Sequence, residues 1–341
     1  MESNKITIHD IAKQLGINSS TVSRALNNSS RVTEKTKQKV MAKALELGYL
    51  KNDLASNLRR NKTNTIGVIV PRISRHFFSS AIAGIEETAY SAGYNVIICQ
   101  SLEQLEREQA NVNTLLANRV DGLLVSVSME TENYEHFNGL RQRNIPLVFF
   151  DRHCNIPNTS KVLIDDFQAA FDATQHLILK GCETIVHFSG PQNLELYKSR
   201  KAGYKAALQK HGILFDPNLV FESRLMELDG VLNAHKIIAL SQHVDGIFSA
   251  NDVAAISAMQ QLKKEGVRVP EDIAVVGFSN ETISAVIEPS LTTINQSGFE
   301  IGKGATELLI FQIEHKETEI INETIIIKSH LIERDSSQKA H

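Results

Sequence analysis

A short run of hydroxyl and amide side chains with one arginine among them carries the most specific chemistry in this chain of 341 residues: Ser19, Ser20, Thr21, Ser23, Arg24 and Asn27. Short donors and acceptors of this kind, with a guanidinium able to bond two base atoms at once, suit the reading of base edges in a DNA major groove. Thr7 and Arg31 flank the run and belong to the same candidate DNA-binding set. Serine has only middling helix propensity, so a helix surface this rich in it is a poor choice for stability alone. Charge is segregated to match. Residues 1–62 hold 12 Lys+Arg and 5 Asp+Glu, a net of +7, while the remainder holds 24 and 34, a net of −10. A basic end on an acidic body points to a polyanion partner at one end only. A plain helical bundle with a solvated polar face explains neither the serines nor the segregation.

The elements that must position these side chains are three short helices. Ile8, Ile11, Ala12 and Leu15 recur at helical intervals and form one buried stripe. Thr7 with Asp10 three residues later resembles a capping box. Gly16 stands where the first helix must end and reverse. Asn18 or Ser19 caps a second helix whose inner face is Val22, Ala25 and Leu26. A third helix runs from its cap Thr33 to about Leu47, packs through Val40, Ala44 and Leu47, and is stopped by Gly48. Helix, glycine turn, helix is the sequence form of a helix-turn-helix DNA reader.

From Thr65 the pattern changes to short apolar runs alternating with longer helical segments. Strands are expected at Ile66–Val70, Asn95–Cys99, Gly122–Val127 and Leu147–Phe150. A second series follows at Val162–Ile164, Thr184–Phe188, Gly246–Phe248 and Ile273–Gly277. Helices are expected at Phe77–Ala92, Glu103–Asn118, Phe167–Lys180, Leu196–His211 and Val253–Gly266. This is an α/β body of two doubly wound parallel sheets with helices on both faces. Val120-Asp121-Gly122-Leu123 is echoed by Val244-Asp245-Gly246-Ile247, each after a helix, as two lobes of similar topology require. Ligands in such lobes sit beyond the carboxyl ends of the strands, so the natural site is the cleft between them.

The chemistry of that cleft is polar rather than catalytic. No dinucleotide-binding glycine fingerprint, Walker loop or nucleophile elbow is present. Asp151, Asp165, Asp166, Asp252 and Arg200 could serve as acid/base groups, and serve equally well as hydrogen-bonding groups for a polar ligand. The three cysteines, Cys99, Cys154 and Cys182, have neither disulfide nor zinc spacing, and Cys99 reads as inert core. The twelve histidines form no metal-ligand cluster, so no metal or cofactor is expected. Composition is ordinary for a globular protein at 42% hydrophobic and 22% charged. No signal-peptide pattern and no run of membrane-spanning length appears, so a cytoplasmic protein near the nucleoid is expected.

Three stretches together carry a family resemblance: DIAKQLGINSSTVSRALN, the join YLKNDLASNLRRNKTNTIGVIVP, and VPEDIAVVGFSN followed by PSLTTINQ. The whole chain resembles the lac repressor (LacI/GalR) family of bacterial transcription regulators, whose core is similar to periplasmic sugar-binding proteins. The resemblance implies a helix-turn-helix headpiece at 1–50 and a hinge helix or linker at 51–62. It implies an N-terminal core lobe at 63–161 and 292–324, and a C-terminal lobe at 162–291 and 325–341. It implies that the segment from Asn52 to Arg60 orders beside its dimer mate on DNA. Leu58 then wedges into the minor groove with Arg59 beside it; the contacts that the bend allows repay the unstacking.

For the cleft, the resemblance implies effector contacts from the aromatic pair Phe77 and Phe78, and from Arg152, Arg200, Asp252, Asn280 and Gln296. Two arginines and two aspartates, Asp151 and Asp252, facing a cleft suit polyol recognition by bidentate hydrogen bonds, with salt bridges across the lobe interface as the rival role. Two positions depart from the family pattern. Ser279 replaces an acid that can contact sugars, and Leu225 stands where several relatives place a stacking aromatic. The expected protein is a sequence-specific repressor without enzymatic activity. Its partners are double-stranded DNA bearing a pseudo-palindromic operator, a small polar effector that is a sugar or sugar derivative, and a second copy of itself; no membrane partner is expected. A purine or other non-sugar effector is the alternative. The tail after Ile332 lacks the leucine heptads of a tetramerising coil.

Overall fold

The computed structural model describes residues 6–49, 62–157, 159–315 and 322–339. The chain divides into two compact units, Met1–Thr63 and Asn64–His341. Among the described residues the first holds three helices, α1 (Ile8–Leu15), α2 (Ser19–Leu26) and α3 (Glu34–Glu46). The Asp10 carboxylate accepts from the Thr7 backbone N–H at 2.8 Å and from its hydroxyl at 2.7 Å, closing the first turn of α1. Gly16 ends α1 at φ 63°, a left-handed conformation that costs glycine little. Ile11, Ala12, Val22, Ala25, Val32, Val40 and Ala44 form the core of this unit, with Ile8, Leu15, Leu26 and Leu47 packed at its margin. The apolar stripes read from spacing therefore meet one another.

The second unit contains two six-stranded sheets. The first has the order β11-β5-β4-β3-β1-β2, with β1 (Thr65–Val70), β2 (Asn95–Gln100), β3 (Gly122–Val125), β4 (Leu147–Phe150), β5 (Ser160–Ile164) and β11 (Thr324–Ile327), all parallel. The second has the order β12-β10-β9-β8-β6-β7. It comprises β6 (Ile185–Ser189), β7 (Val220–Glu222), β8 (Gly246–Ser249), β9 (Ala274–Phe278), β10 (Thr292–Asn295) and β12 (His330–Ile332). Only the β10–β12 pair is antiparallel. The central strands β3, β4, β6, β8 and β9 are buried throughout, as near-continuous apolar runs covered on both faces must be.

Helices α4 (His76–Ser91), α5 (Leu105–Ala117) and α6 (Asn138–Gln142) accompany the first sheet. Helices α7 (Asp166–Leu179), α8 (Glu195–Lys210), α9 (Glu227–Ala239) and α10 (Asp252–Lys264) accompany the second. Helix α11 (Gly298–Glu314) returns to the first lobe and packs on α4. Gly302 lies against the Ala81 carbonyl and Gly84 against the Phe299 carbonyl, where a Cβ would overlap the backbone; the helix pair needs both glycines.

The chain changes lobe three times, after β5, between β10 and α11, and between β11 and β12. This corrects the expected assignment of three strands. The 162–164 run was expected to begin the second series, but β5 pairs with β4 in the first sheet. Residues from 292 were expected in the first lobe, but β10 pairs with β9 in the second. Residues from 325 were expected in the second, but β11 pairs with β5. Local alternation marks a strand and leaves its neighbour open, which is decided by tertiary pairing, reaching from Lys161 to Thr324 for β5 and β11. Helices α9 and α11 were not anticipated; glycines at 230, 298, 302 and 304 interrupt their pattern. Cys99 is half-buried on the edge strand β2 rather than in the core.

Candidate functional site

On the headpiece, Val22 and Ala25 turn α2 inward, which leaves the opposite face outward. Ser20, Arg24 and Asn27 are exposed there, and Ser19, Thr21 and Ser23 are half-exposed. Asn27 donates from its side chain to the Ser23 carbonyl at 2.9 Å. Among the described residues the guanidinium groups of Arg24 and Arg31 have no hydrogen-bond or ion-pair partner. Thr7 is exposed, but its hydroxyl is committed to Asp10. The outward face is thus a small set of polar groups with one free cation on a short helix, held by a three-helix core. Asn52, Leu58 and Arg59, the expected hinge contacts, lie outside the described residues.

In the core, the ends of the two sheets border a cleft with about 620 Å³ of space, its open mouth included. Phe77, Phe78, Arg152, Arg200, Asp252 and Gln296 all line it, as expected. Phe77 and Phe78 begin α4, nearly buried and edge-to-face at 5.1 Å and 73°. Arg152 follows β4. Its Nη1 donates to Glu103 Oε2 at 2.8 Å, and its guanidinium lies 5.9 Å from the Phe78 ring. Burial favours its neutral form, but Glu103, Tyr197 and Asp151 outweigh that and raise its pKa. Arg200, on α8, donates to Asp166 Oδ1 and to the Ala250 carbonyl, both at 2.8 Å, and stacks 3.6 Å from the Phe278 ring centre. Both arginines are therefore paired within their own lobes, not across the interface.

Asp252 has a different character from the one expected. It begins α10, is fully buried, and has no cationic partner among the described residues. Its carboxylate accepts from the Glu281 N–H at 2.8 Å, the Ser284 hydroxyl at 2.7 Å and the Thr293 hydroxyl at 2.6 Å. Burial pushes its pKa up to about 6 against these bonds. It ties together the loop after β9, strand β10 and α10, and is a structural group at the cleft wall. Asp166 is likewise pushed up to about 6 by burial, with Arg200 opposing.

Asn280 does not line the cleft. Its side-chain carbonyl accepts from Arg334 Nη2 at 2.7 Å and its N–H donates to the Thr293 hydroxyl at 3.2 Å. The preceding Ser279 takes the place, at φ 109°, with its hydroxyl donating to Gln296 Oε1 at 2.8 Å. A one-residue offset at a strongly bent strand end is enough to exchange the two. Asp151, a candidate polar group from the sequence, lines the cleft, and so do Arg72, Arg75, Glu103 and Tyr197, which the sequence reading did not single out. Arg72 and Arg75 follow β1 and Glu103 follows β2, so the strand-end rule would have found them. Tyr197 lies one turn before Arg200 on the same helix face.

The lobes also meet directly. The His76 N–H is 3.2 Å from both Glu281 carboxylate oxygens, Asn193 donates to the Met129 carbonyl at 2.7 Å, and Arg75 lies 3.6 Å from Glu227. Three crossings and these few polar bridges are the anatomy of a hinged pair. Among the described residues no cluster of His, Cys, Asp and Glu could hold a metal ion, and no helix is long and apolar enough to cross a membrane.

Comparison with known proteins agrees with this geometry in both units. Residues 7–52 match the family model of bacterial regulatory proteins, lacI family, and residues 63–334 match that of periplasmic binding proteins and sugar binding domain of LacI family. The chain belongs to the LacI family. It is 31% identical over 333 residues to the HTH-type transcriptional regulator RegA of Clostridium saccharobutylicum, covering 97% of this chain and 99% of the relative. The lac repressor dimer bound to operator and the anti-inducer ONPF superposes with a TM-score of 0.86 at 25% identity, covering 99% of this chain and 100% of that one. The transcriptional regulator CelR–cellobiose complex superposes at 0.74 with 28% identity, covering 97% and 99%. As a LacI-family member this chain is a DNA-binding transcriptional regulator with an effector-binding domain.

Proposed function

We propose that this regulator is a homodimeric repressor of a pseudo-palindromic operator, controlled by a small polar effector bound between the core lobes. The operator mirrors the two-fold symmetry of the dimer. In this reading Ser19, Ser20, Thr21, Ser23, Arg24 and Asn27 contact the DNA, with Thr7 and Arg31 at the margins and Asn52, Leu58 and Arg59 in the hinge. The single observation that carries the effector half is the cleft, where Phe77, Phe78, Arg152, Arg200 and Gln296 converge from both lobes and the connecting chain. A sugar or sugar derivative is the first reading, supported by the likeness to the CelR–cellobiose complex. The edge-to-face pair of Phe77 and Phe78 supports a second, a flat heterocycle such as a purine.

The effector acts through its different affinity for open and closed lobes, and hence on the spacing of the hinge segments. The protein works by binding and not by turnover. It works in the cytoplasm, at the nucleoid. The test is affinity selection of fragmented genomic DNA on the purified protein, followed by sequencing, with and without a metabolite extract. Enrichment of a few palindromic sites that changes with the extract is the expected result. Absence of enrichment under both conditions refutes the proposal.

A further inference from the structure

The cleft has spare donors and few spare acceptors. Arg152 is nearly buried and uses Nη1 on Glu103, but its Nε is buried with no hydrogen-bond acceptor. The nearest carboxylate oxygen to that Nε, on Asp151, is 3.8 Å away. Arg72, just past β1, has a buried Nε in the same state and no ion-pair partner among the described residues. Tyr197 is only 3% exposed and lines the cleft, yet its hydroxyl has no hydrogen-bond partner among the described residues. Its ring is held against Gly190, where a Cβ would overlap it, so the phenol is fixed in place. Burial pushes that phenol's pKa up while Arg152 and Arg200 pull it down, so the hydroxyl lies within the field of both guanidinium groups.

The acceptors of the cleft are mostly occupied. Glu103 Oε2 takes the Met129 N–H at 2.9 Å as well as Arg152. Asp252 and Glu281 are bonded as described above, and Gln296 Oε1 is bonded to Ser279. Asp151 alone is loosely held, with Ser126 and Gln296 each at 3.4 Å. Five arginines face four carboxylates across this space. A neutral polyol can accept from such donors, but each hydroxyl brings a proton of its own, for which few free acceptors remain. An acceptor-only group with negative charge meets those donors.

Resting on the reading of the cleft as the effector site, we infer that the effector carries an anionic group, a phosphate or a carboxylate, held by the unbonded donors of Arg152, Tyr197 and Arg72. Asp151 then accepts from a hydroxyl or amine elsewhere on the same molecule. The group is desolvated between two aromatic rings and the guanidinium planes, where charge-assisted bonds are strongest.

The test is thermal unfolding of the full-length protein, followed by far-UV circular dichroism, with sodium phosphate, sodium acetate or sodium chloride at equal ionic strength. Ribose and cellobiose form the neutral arm. The expected result is a saturable rise in melting temperature with phosphate or acetate beyond that in chloride, and the stronger of the two identifies the anion. In Arg72→Gln and Tyr197→Phe the midpoint concentration should rise by roughly ten- to a hundredfold, the loss of one charge-assisted bond. In Arg24→Ala, which alters the headpiece, it should not move. A rise that is lost in Arg24→Ala and kept in the two cleft variants overturns the inference, because the anion then binds at the DNA-reading face. No rise with either anion, alongside a rise with a neutral sugar that Phe77→Ala removes, overturns the anionic group and leaves the cleft as effector site. No response in either arm counts against both.

Discussion

Asp252→Ala tests the division between cleft wall and cleft contact most directly. The resemblance assigns Asp252 to the effector, yet its carboxylate is fully buried and bonded to Glu281, Ser284 and Thr293. Alanine leaves three buried donors without an acceptor, at about 1–3 kcal/mol for each one unsatisfied. The two hydroxyls can turn to other acceptors, but the Glu281 N–H cannot. The expected loss is therefore about 1–3 kcal/mol for that N–H, plus the lost bonds of the two hydroxyls at about 1 kcal/mol each. Asp252→Asn keeps one oxygen as acceptor and should lose far less. The assay is urea unfolding of both variants, read by circular dichroism, across pH 4 to 8. Burial raises the folded-state pKa of Asp252 from the ordinary 3.8 to about 6. Its contribution to stability is fully present below about pH 3.8 and is lost as the pH rises through about 6. The difference amounts to about 3 kcal/mol. Wild type should therefore lose stability relative to Asp252→Asn as the pH rises from 4 to 7. An Asp252→Ala protein with unchanged stability and no effector response would refute this reasoning and make the carboxylate a ligand contact.

Three further outcomes are expected. Arg24→Ala should cost about 1–3 kcal/mol on operator DNA but little on random DNA, because its guanidinium is free on the outward face of α2; equal losses in a binding titration would make it a phosphate contact. Leu58→Ala should weaken operator binding severely and leave effector binding intact, and an unchanged operator affinity in the same titration would remove the hinge wedge. Asn280→Ala should leave effector affinity unchanged by calorimetry while lowering the melting temperature, since Arg334 loses its acceptor; a tenfold loss of affinity would return Asn280 to the cleft.

The headpiece was legible because everything about it is local. A capping box at Thr7 and Asp10, a glycine at the reversal and apolar residues three and four apart specify the helices, and the inward stripes of Ile11, Val22 and Val40 fix which serines and which arginine face out. The alternation of strands and helices was legible for the same reason, and it placed the cleft beyond the strand ends, where Arg152 follows β4. Asn280 lies off the cleft, and Asp252, on its wall, is bound into a buried network; a residue beside a ligand and a residue beside its neighbours look alike in one dimension.

What the sequence by itself determined is whatever depends on contacts within a few residues: element type, caps, the polar face of α2 and the segregation of charge. Only the tertiary structure decided which sheet received β5, β10 and β11, and so where the chain crosses between lobes. It alone also decided which donors in the cleft are already spent. Those are matters of pairing between groups as far apart in the chain as β5 and β11, set by the packing of whole lobes, and no local pattern encodes them.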